Sequence, residues 1–234
     1  MNKEEFIEEV KKLNIEVTEE KMELLDKFYH MLIEWNEKIN LTTIVEEDKV
    51  YLKHFYDSLT LSKEIDFTQD ISLCDVGSGA GFPGIVIKIF FPNVRITLID
   101  SLQKRVNYLN EVIKELNLKN IKAEHYRMED YSKLHEEEFD YITARAVANI
   151  GILSEISVRA LKINGHMVFM KANCEDELTI FLANVRNLGL SLESTNEFQL
   201  PSEYSNRTLV NLVKISHTKS IYPRRIDIIK KEYN

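Results

Sequence analysis

The ten residues DVGSGAGFPG at 75–84 hold Gly77, Gly79, Gly81 and Gly84, four of the 7 glycines in a chain of 234 residues. They follow the apolar run ISLC and precede another, GIVIKIFF. Glycine admits a left-handed backbone and lets a ligand approach the main chain with no Cβ in the way. Pro83 suits the first turn of a helix, where its missing N–H costs nothing. Gly79, Gly81 and Gly84 form G-x-G-x-x-G, a spacing that can cradle a dinucleotide pyrophosphate. Gly77, Gly79 and Gly81 form G-x-G-x-G instead, with Asp75 at the end of the preceding run. That carboxylate weighs between the two. It repels a pyrophosphate and attracts the cationic aminoacyl-sulfonium part of S-adenosylmethionine, directly or through water.

Other residues with chemistry lie at the ends of later apolar runs. Asp100 closes VRITLID, and a carboxylate there can accept from both hydroxyls of a ribose, whether of NAD or of S-adenosylmethionine. In HYRMED, Glu129 or Asp130 and nearby amides could address an adenine. Arg145, in TARA, could donate to guanine O6, to an RNA phosphate or to a cofactor carboxylate, because its planar fork suits all three. A structural ion pair is the plainer alternative. His54, Asp57 and Ser58 in KHFYDS share one helical face, either as a polar cluster facing the glycine loop or as packing and capping residues. Lys171 and Arg207 stand at strand ends, where a cation meets RNA phosphate or solvent. No NPPY-like segment follows TARA, as methylation of an adenine amino group would lead one to expect, and no cysteine follows it to attack a pyrimidine C5. Cys74 and Cys174 have neither metal nor disulfide spacing, so no metal is expected.

The elements that must position these groups can be read from the pattern. Residues 1–65 are expected to be helical: Thr18 is a good N-cap, and Met22, Leu25, Phe28, Tyr29, Leu32, Ile33 and Trp35 form one apolar stripe. From residue 71 onward, short apolar runs alternate with amphipathic stretches. This predicts an α/β fold, a doubly wound, mostly parallel seven-stranded sheet of Rossmann-like type. The expected division is a helical segment at 1–65, an α/β cofactor-binding domain at 66–216 and a basic C-terminal tail at 217–234. The acidic opening MNKEEFIEEV does not read as a signal peptide, and no apolar run approaches the roughly eighteen residues of a membrane helix. The cytoplasm is the expected compartment. The net charge of −8 hides an asymmetry. Residues 1–50 carry 14 acidic and 7 basic side chains, while 214–234 carry 6 basic and 2 acidic. The sign of the sum therefore does not exclude a local anion-binding face.

WNEKINLT (35–42), VYLKHFYDSL (50–59), CDVGSGAGFPG (74–84), TLIDSLQKRVNYL (97–109), TARAVA (143–148), MKA (170–172) and YPRR (222–225) together resemble the 16S rRNA guanine-N7 methyltransferases of the RsmG (GidB) type, over nearly the whole chain. The resemblance implies a class I S-adenosylmethionine-dependent enzyme, releasing S-adenosylhomocysteine and modifying 16S rRNA or the small ribosomal subunit; a monomer is expected because no heptad or exposed apolar stretch suggests an obligate dimer. It implies cofactor contacts at Gly77, Phe82, Met128, Glu129 and Arg145, joining Asp75, Gly79 and Asp100. It also favours reaction-centre roles for Arg145, Asp57 and His54, with Asp57 near the cationic product base. Lys171, Arg207, Arg224 and Arg225 are the expected RNA contacts. Met128 stands where the family usually has alanine, and the tail runs on as IDIIKKEYN. The other functions considered are a small-molecule methyltransferase and an NAD-dependent oxidoreductase.

Overall fold

The computed structural model describes residues 1–233. A capping box starts the first helix, α1 (Lys3–Lys12): the Asn2 side chain accepts from the Glu5 N–H, and the Glu5 carboxylate accepts from the Asn2 N–H. Thr18 Oγ1 accepts from the Lys21 N–H and opens α2 (Glu19–Ile39), the N-cap expected from the sequence. Leu25, Phe28 and Leu32 of its stripe are fully buried. Left-handed Asn40 ends α2, and the Asn36 side chain accepts from the Leu41 and Thr42 N–H groups, turning the chain sharply. A short α3 (Glu47–Val50) passes into a π-helical turn at Tyr51–Tyr56, then α4 (Asp57–Leu59) and a 3₁₀ turn at Thr60–Lys63. π turns inside helices are frequent at functional sites. This one carries His54 and delivers the chain to Asp57.

The rest alternates as predicted: β1 (Ser72–Val76), α5 (Gly84–Phe90), β2 (Arg95–Asp100), α6 (Gln103–Glu115), β3 (Ile121–His125), α7 (Met128–Leu134), β4 (Phe139–Arg145), α8 (Ile150–Ser157), β5 (Leu161–Lys171), α9 (Glu175–Leu182), β6 (Leu190–Gln199), β7 (Asn206–Lys214) and α10 (Ile226–Tyr233). The seven strands form one sheet in the order β3-β2-β1-β4-β5-β7-β6. All pairs are parallel except β5–β7 and β6–β7. The order reverses between β1 and β4, the crevice where ligands of such sheets bind. Register sets Val76 opposite Ala144, so the glycine loop and Arg145 leave the sheet side by side.

Two buried clusters cover the two faces of the sheet. One joins α1, α2, the 51–61 stretch, α5 and α6 to the sheet, and the other gathers residues of α7–α10. The stretch read from sequence as a basic tail carries α10, whose Ile229 and Tyr233 are buried. The Tyr233 ring lies against Gly151 of α8, where any side chain would collide. Among the described residues no helix is long and apolar enough to cross a membrane.

Candidate active site

The glycine loop folds onto itself and onto β2. The Gly77 and Ser78 N–H groups both donate to the Ile99 carbonyl, at 2.7 and 3.1 Å. Those of Gly81 and Phe82 donate to the Ser78 carbonyl. The Gly79 N–H donates to Asp100 Oδ2 at 3.0 Å, and the Gly84 N–H to Asp75 Oδ2 at 2.9 Å. A phosphate cradle works by offering such amides to the ligand. Here Asp75 already takes the amide at the start of α5, and the dinucleotide reading of G-x-G-x-x-G loses its physical basis. Gly77 and Gly84 show why glycine stands here. Gly77 has φ +68° and a Cβ there would lie 2.7 Å from Val147. A Cβ on Gly84 would strike Leu98 and come within 2.8 Å of the Asp75 carboxylate.

Asp75 is fully buried, and its Oδ1 has no hydrogen-bond partner. Burial pushes its pKa up to about 7, against the pull of the Gly84 N–H and the Arg145 charge. A buried carboxylate oxygen left unpaired is unfavourable until a donor, best a cationic one, reaches it. Asp100 is also buried, holding the Gly79 and Leu102 N–H groups on its two oxygens, with Arg105 Nη1 at 3.5 Å. Each oxygen keeps a lone pair for a ribose hydroxyl. Beyond it a cavity of about 130 Å³ is lined by Gly77, Ile99, Met128, Glu129 and Val147 among others. Apolar walls with a carboxylate at the rim suit an adenine. The residues present therefore fit S-adenosylmethionine: Asp75 for the ammonium, Asp100 for the ribose, and the Met128–Glu129 cleft for the base.

Arg145 is the hub of the second half of the site. Its Nη1 donates to the Lys53 carbonyl at 2.8 Å and to Asp57 Oδ2 at 3.2 Å. Its Nη2 donates to His54 Nδ1 at 3.1 Å. A guanidinium only donates, so in its contact with Arg145 His54 Nδ1 accepts and Nε2–H faces Thr42 Oγ1 at 3.0 Å. The Lys53 carbonyl, 3.1 Å from the same Nδ1, could be used only by the other tautomer. Burial, then the Arg145 charge, drop the His54 pKa to about 3. The imidazole is thus neutral throughout the physiological range and holds Arg145 in place rather than carrying protons. His54 also stacks on Phe82 at 4.4 Å, and Arg145 lies 5.1 Å from the centre of that ring. Arg207 Nε donates to Asp57 Oδ1 at 2.9 Å, so two arginines share one buried carboxylate. The cluster keeps a net positive charge, suited to an anion. Asp57, held from both sides, is not free to serve a cationic product. Arg145→Lys should therefore leave the protein folded but lower methyl transfer on the order of 10²-fold, because the three donors of an ammonium radiate from one nitrogen and cannot reach partners spread over both Nη1 and Nη2. Thermal melting and kcat/KM on the same sample check both halves.

The remaining candidates lie elsewhere. Lys171 donates to the Ala148 carbonyl at 2.7 Å and pairs with Glu177, whose carboxylate also accepts from the Ile150 N–H at the start of α8. Arg224 is taken by Glu155 and Glu232. Arg225 pairs with Asp227 at the surface. Of the four expected RNA contacts, only Arg207 adjoins the Arg145 cluster. Sequence reasoning passed over Glu155, although it is the lone charge in the apolar stretch IGILSEIS, a pattern that calls for a buried partner.

Comparison with known proteins agrees with this geometry. A family model described as "rRNA small subunit methyltransferase G" (GidB) matches residues 21–210. Ribosomal RNA small subunit methyltransferase G of Lysinibacillus sphaericus is 42% identical over 234 residues, covering 99% of this chain and 98% of the relative. The Bacillus subtilis protein of the same name is 42% identical over 228 residues, covering 96% and 95%. Among solved structures, a SAM-dependent methyltransferase from Aquifex aeolicus has a TM-score of 0.54 at 18% identity, covering 73% of this chain and 94% of that one. A precorrin-6y C5,15-methyltransferase from Geobacter metallireducens has a TM-score of 0.51 at 17% identity, covering 75% and 92%. These structural likenesses establish the class I methyltransferase fold.

Proposed function

The chain belongs to the GidB family, rRNA small subunit methyltransferase G, and from that membership we propose that it transfers a methyl group from S-adenosylmethionine to N7 of a guanine in 16S ribosomal RNA. The observation that carries the cofactor assignment is the glycine loop: the N–H groups of Gly77, Ser78, Gly79, Gly81, Phe82 and Gly84 all donate internally, and its one buried side-chain atom without a partner is Asp75 Oδ1. Such a site asks for a cation and, with six of its N–H groups taken internally, makes a poor cradle for a pyrophosphate. An oxidoreductase using NAD is therefore disfavoured.

S-adenosylmethionine, when bound, supplies an activated methyl group on a sulfonium. Guanine N7 has an in-plane lone pair and no proton, so the chain needs no general base, and neutral His54 agrees with that. The work left to the protein is positioning, worth roughly 7–11 kcal/mol in well-oriented cases. Asp75 orients the cofactor's cationic end. Arg145, braced by His54, the Lys53 carbonyl and Asp57, presents its remaining N–H groups toward the guanine or the cofactor carboxylate. It must leave N7 itself uncapped, because the usual bidentate arginine contact would block the attacking atom. Arg207, anchored through Nε to Asp57 and through Nη1 to the Asn206 carbonyl, offers Nη2 to a backbone phosphate. N7 is out of reach in A-form helices, so the target is an unpaired or flipped guanine. With a net charge of −8 the chain is expected to bind bare RNA weakly and to prefer an assembled or assembling small subunit. Such a substrate implies work in the cytoplasm.

Labelled S-adenosylmethionine and small subunits lacking the modification test this reading. One methyl per particle, located at a guanine N7 by cleavage at the depurinated site, is expected. No transfer to either subunits or their RNA would overturn it.

A further inference from the structure

Tyr204 lies in the turn 200–205 between β6 and β7, and at 72% exposure it is the most exposed large hydrophobic side chain among the described residues. Its backbone is left-handed, with φ +53°, and so is that of Ser202, with φ +69°. Glycine or asparagine takes that conformation at little cost, whereas a bulky side chain does not. Three hydrogen bonds hold the turn there: Tyr204 N–H to the Leu200 carbonyl at 3.0 Å, Glu203 N–H to the Pro201 carbonyl at 2.8 Å, and Leu200 N–H to the Ser205 carbonyl at 3.0 Å. Strain maintained by its surroundings, at a position that presents an aromatic ring to solvent, points to a use for the ring.

The attachments of the turn say where that use is. Glu203 pairs with Lys53 at 2.8 Å, and the Lys53 carbonyl is one of the three groups that hold Arg145. Three residues past Tyr204, Arg207 reaches Asp57. The turn is thus tied to both sides of the cationic cluster, through Glu203 on one side and Arg207 on the other. Resting on the reading of the chain as an rRNA methyltransferase, we propose that Tyr204 is a stacking platform for an unpaired base of the ribosomal RNA, a neighbour of the guanine delivered to Arg145. Stacking suits this position because every base has a π-face, so the ring holds the strand without reading its sequence.

Steady-state methylation of small subunits lacking the modification, with Tyr204→Ala, Tyr204→Phe and Tyr204→Asn, tests the proposal. Tyr204→Ala is expected to raise KM for the particle roughly tenfold or more, the scale of one base–aromatic stack, with kcat and S-adenosylhomocysteine affinity within twofold of the unaltered protein. Tyr204→Phe should behave as the unaltered protein, since the ring stacks without its hydroxyl. Tyr204→Asn should match Tyr204→Ala in KM while its melting temperature is unchanged or a few degrees higher. An unchanged KM in Tyr204→Ala overturns the proposal, as does a Tyr204→Phe variant as impaired as the alanine one. Retention of protein-free 16S RNA on filters should weaken in parallel. A loss on particles with none on bare RNA means the ring meets a ribosomal protein, which also overturns it. Absence of transfer by the unaltered protein would instead bring down the functional reading itself, and this inference with it.

Discussion

Asp75→Asn is expected to weaken S-adenosylhomocysteine binding about 10- to 100-fold and to remove its pH dependence, while stabilising the empty protein above neutrality. The first effect follows from the loss of a buried, charge-assisted partner for the ammonium, typically about 1.5–3 kcal/mol. The second follows from the burial that lifts the Asp75 pKa to about 7 in the empty site. Only the ionised carboxylate attracts the cation, so affinity in the unaltered protein should fall toward tenfold per pH unit below about 7 and level off above it.

The stability effect has the opposite sign. In the unfolded chain this aspartate ionises near pH 4, an ordinary value, whereas the folded empty site holds the proton to about 7. The folded form therefore binds more protons across that window. The contribution of this group is fully present below about pH 4 and is lost as pH rises through about 7, at up to about 1.4 kcal/mol per pH unit. An asparagine carries no such penalty, and a gain on the order of 1–3 kcal/mol at pH 8 is expected. Calorimetric titration and thermal melting from pH 5.5 to 8.5 read all three effects. Flat affinity across that range, with equal binding by the variant, would mean that Asp75 does not meet the cation.

Much of this site was legible because its chemistry is local. Asp75, the glycines and Asp100 are fixed by strand ends and a tight turn, and the alternation of short apolar runs with amphipathic stretches gives the parallel sheet directly. What stayed hidden is of two physical kinds. The first is the state of backbone donors. G-x-G-x-x-G reads the same whether its amides point at a ligand or at the Ile99 carbonyl, and only the fold shows the latter. The second is pairing across long sequence separations. Arg145 meets His54 and Asp57 some ninety residues earlier in the chain, through a π turn that no periodicity announces. Resemblance to the family pointed to these residues, but their spacing did not show that His54 would be a bare acceptor. Charge counting revealed least at Lys171 and Arg224. Each reads as a free cation, and each is held by a carboxylate that supports α8.

That last pairing gives the largest expected effect on stability. The Glu155 side chain is completely buried in α8, and Arg224 supplies three of its hydrogen bonds: backbone N–H at 3.0 Å, Nε at 2.8 Å and Nη2 at 2.6 Å. Glu232 holds the other arm of the same guanidinium at 2.7 Å and lifts the arginine further above its ordinary range, after Glu155. Arg224→Ala leaves a carboxylate sealed in an apolar helix interface, which typically costs about 3–5 kcal/mol. In a chain of this size that means a fall in melting temperature of roughly 10 °C or more. Glu155→Leu combined with Arg224→Met removes both charges and should recover most of the loss, because a buried pair contributes little beyond its hydrophobic replacement. The double variant also separates the two readings of Arg224. If the arginine serves only to dock α10 on α8, the double variant should methylate small subunits with an unchanged KM. A stable double variant with a severalfold higher KM would mean that Arg224 touches RNA as well, and the clamp would be only half of its role.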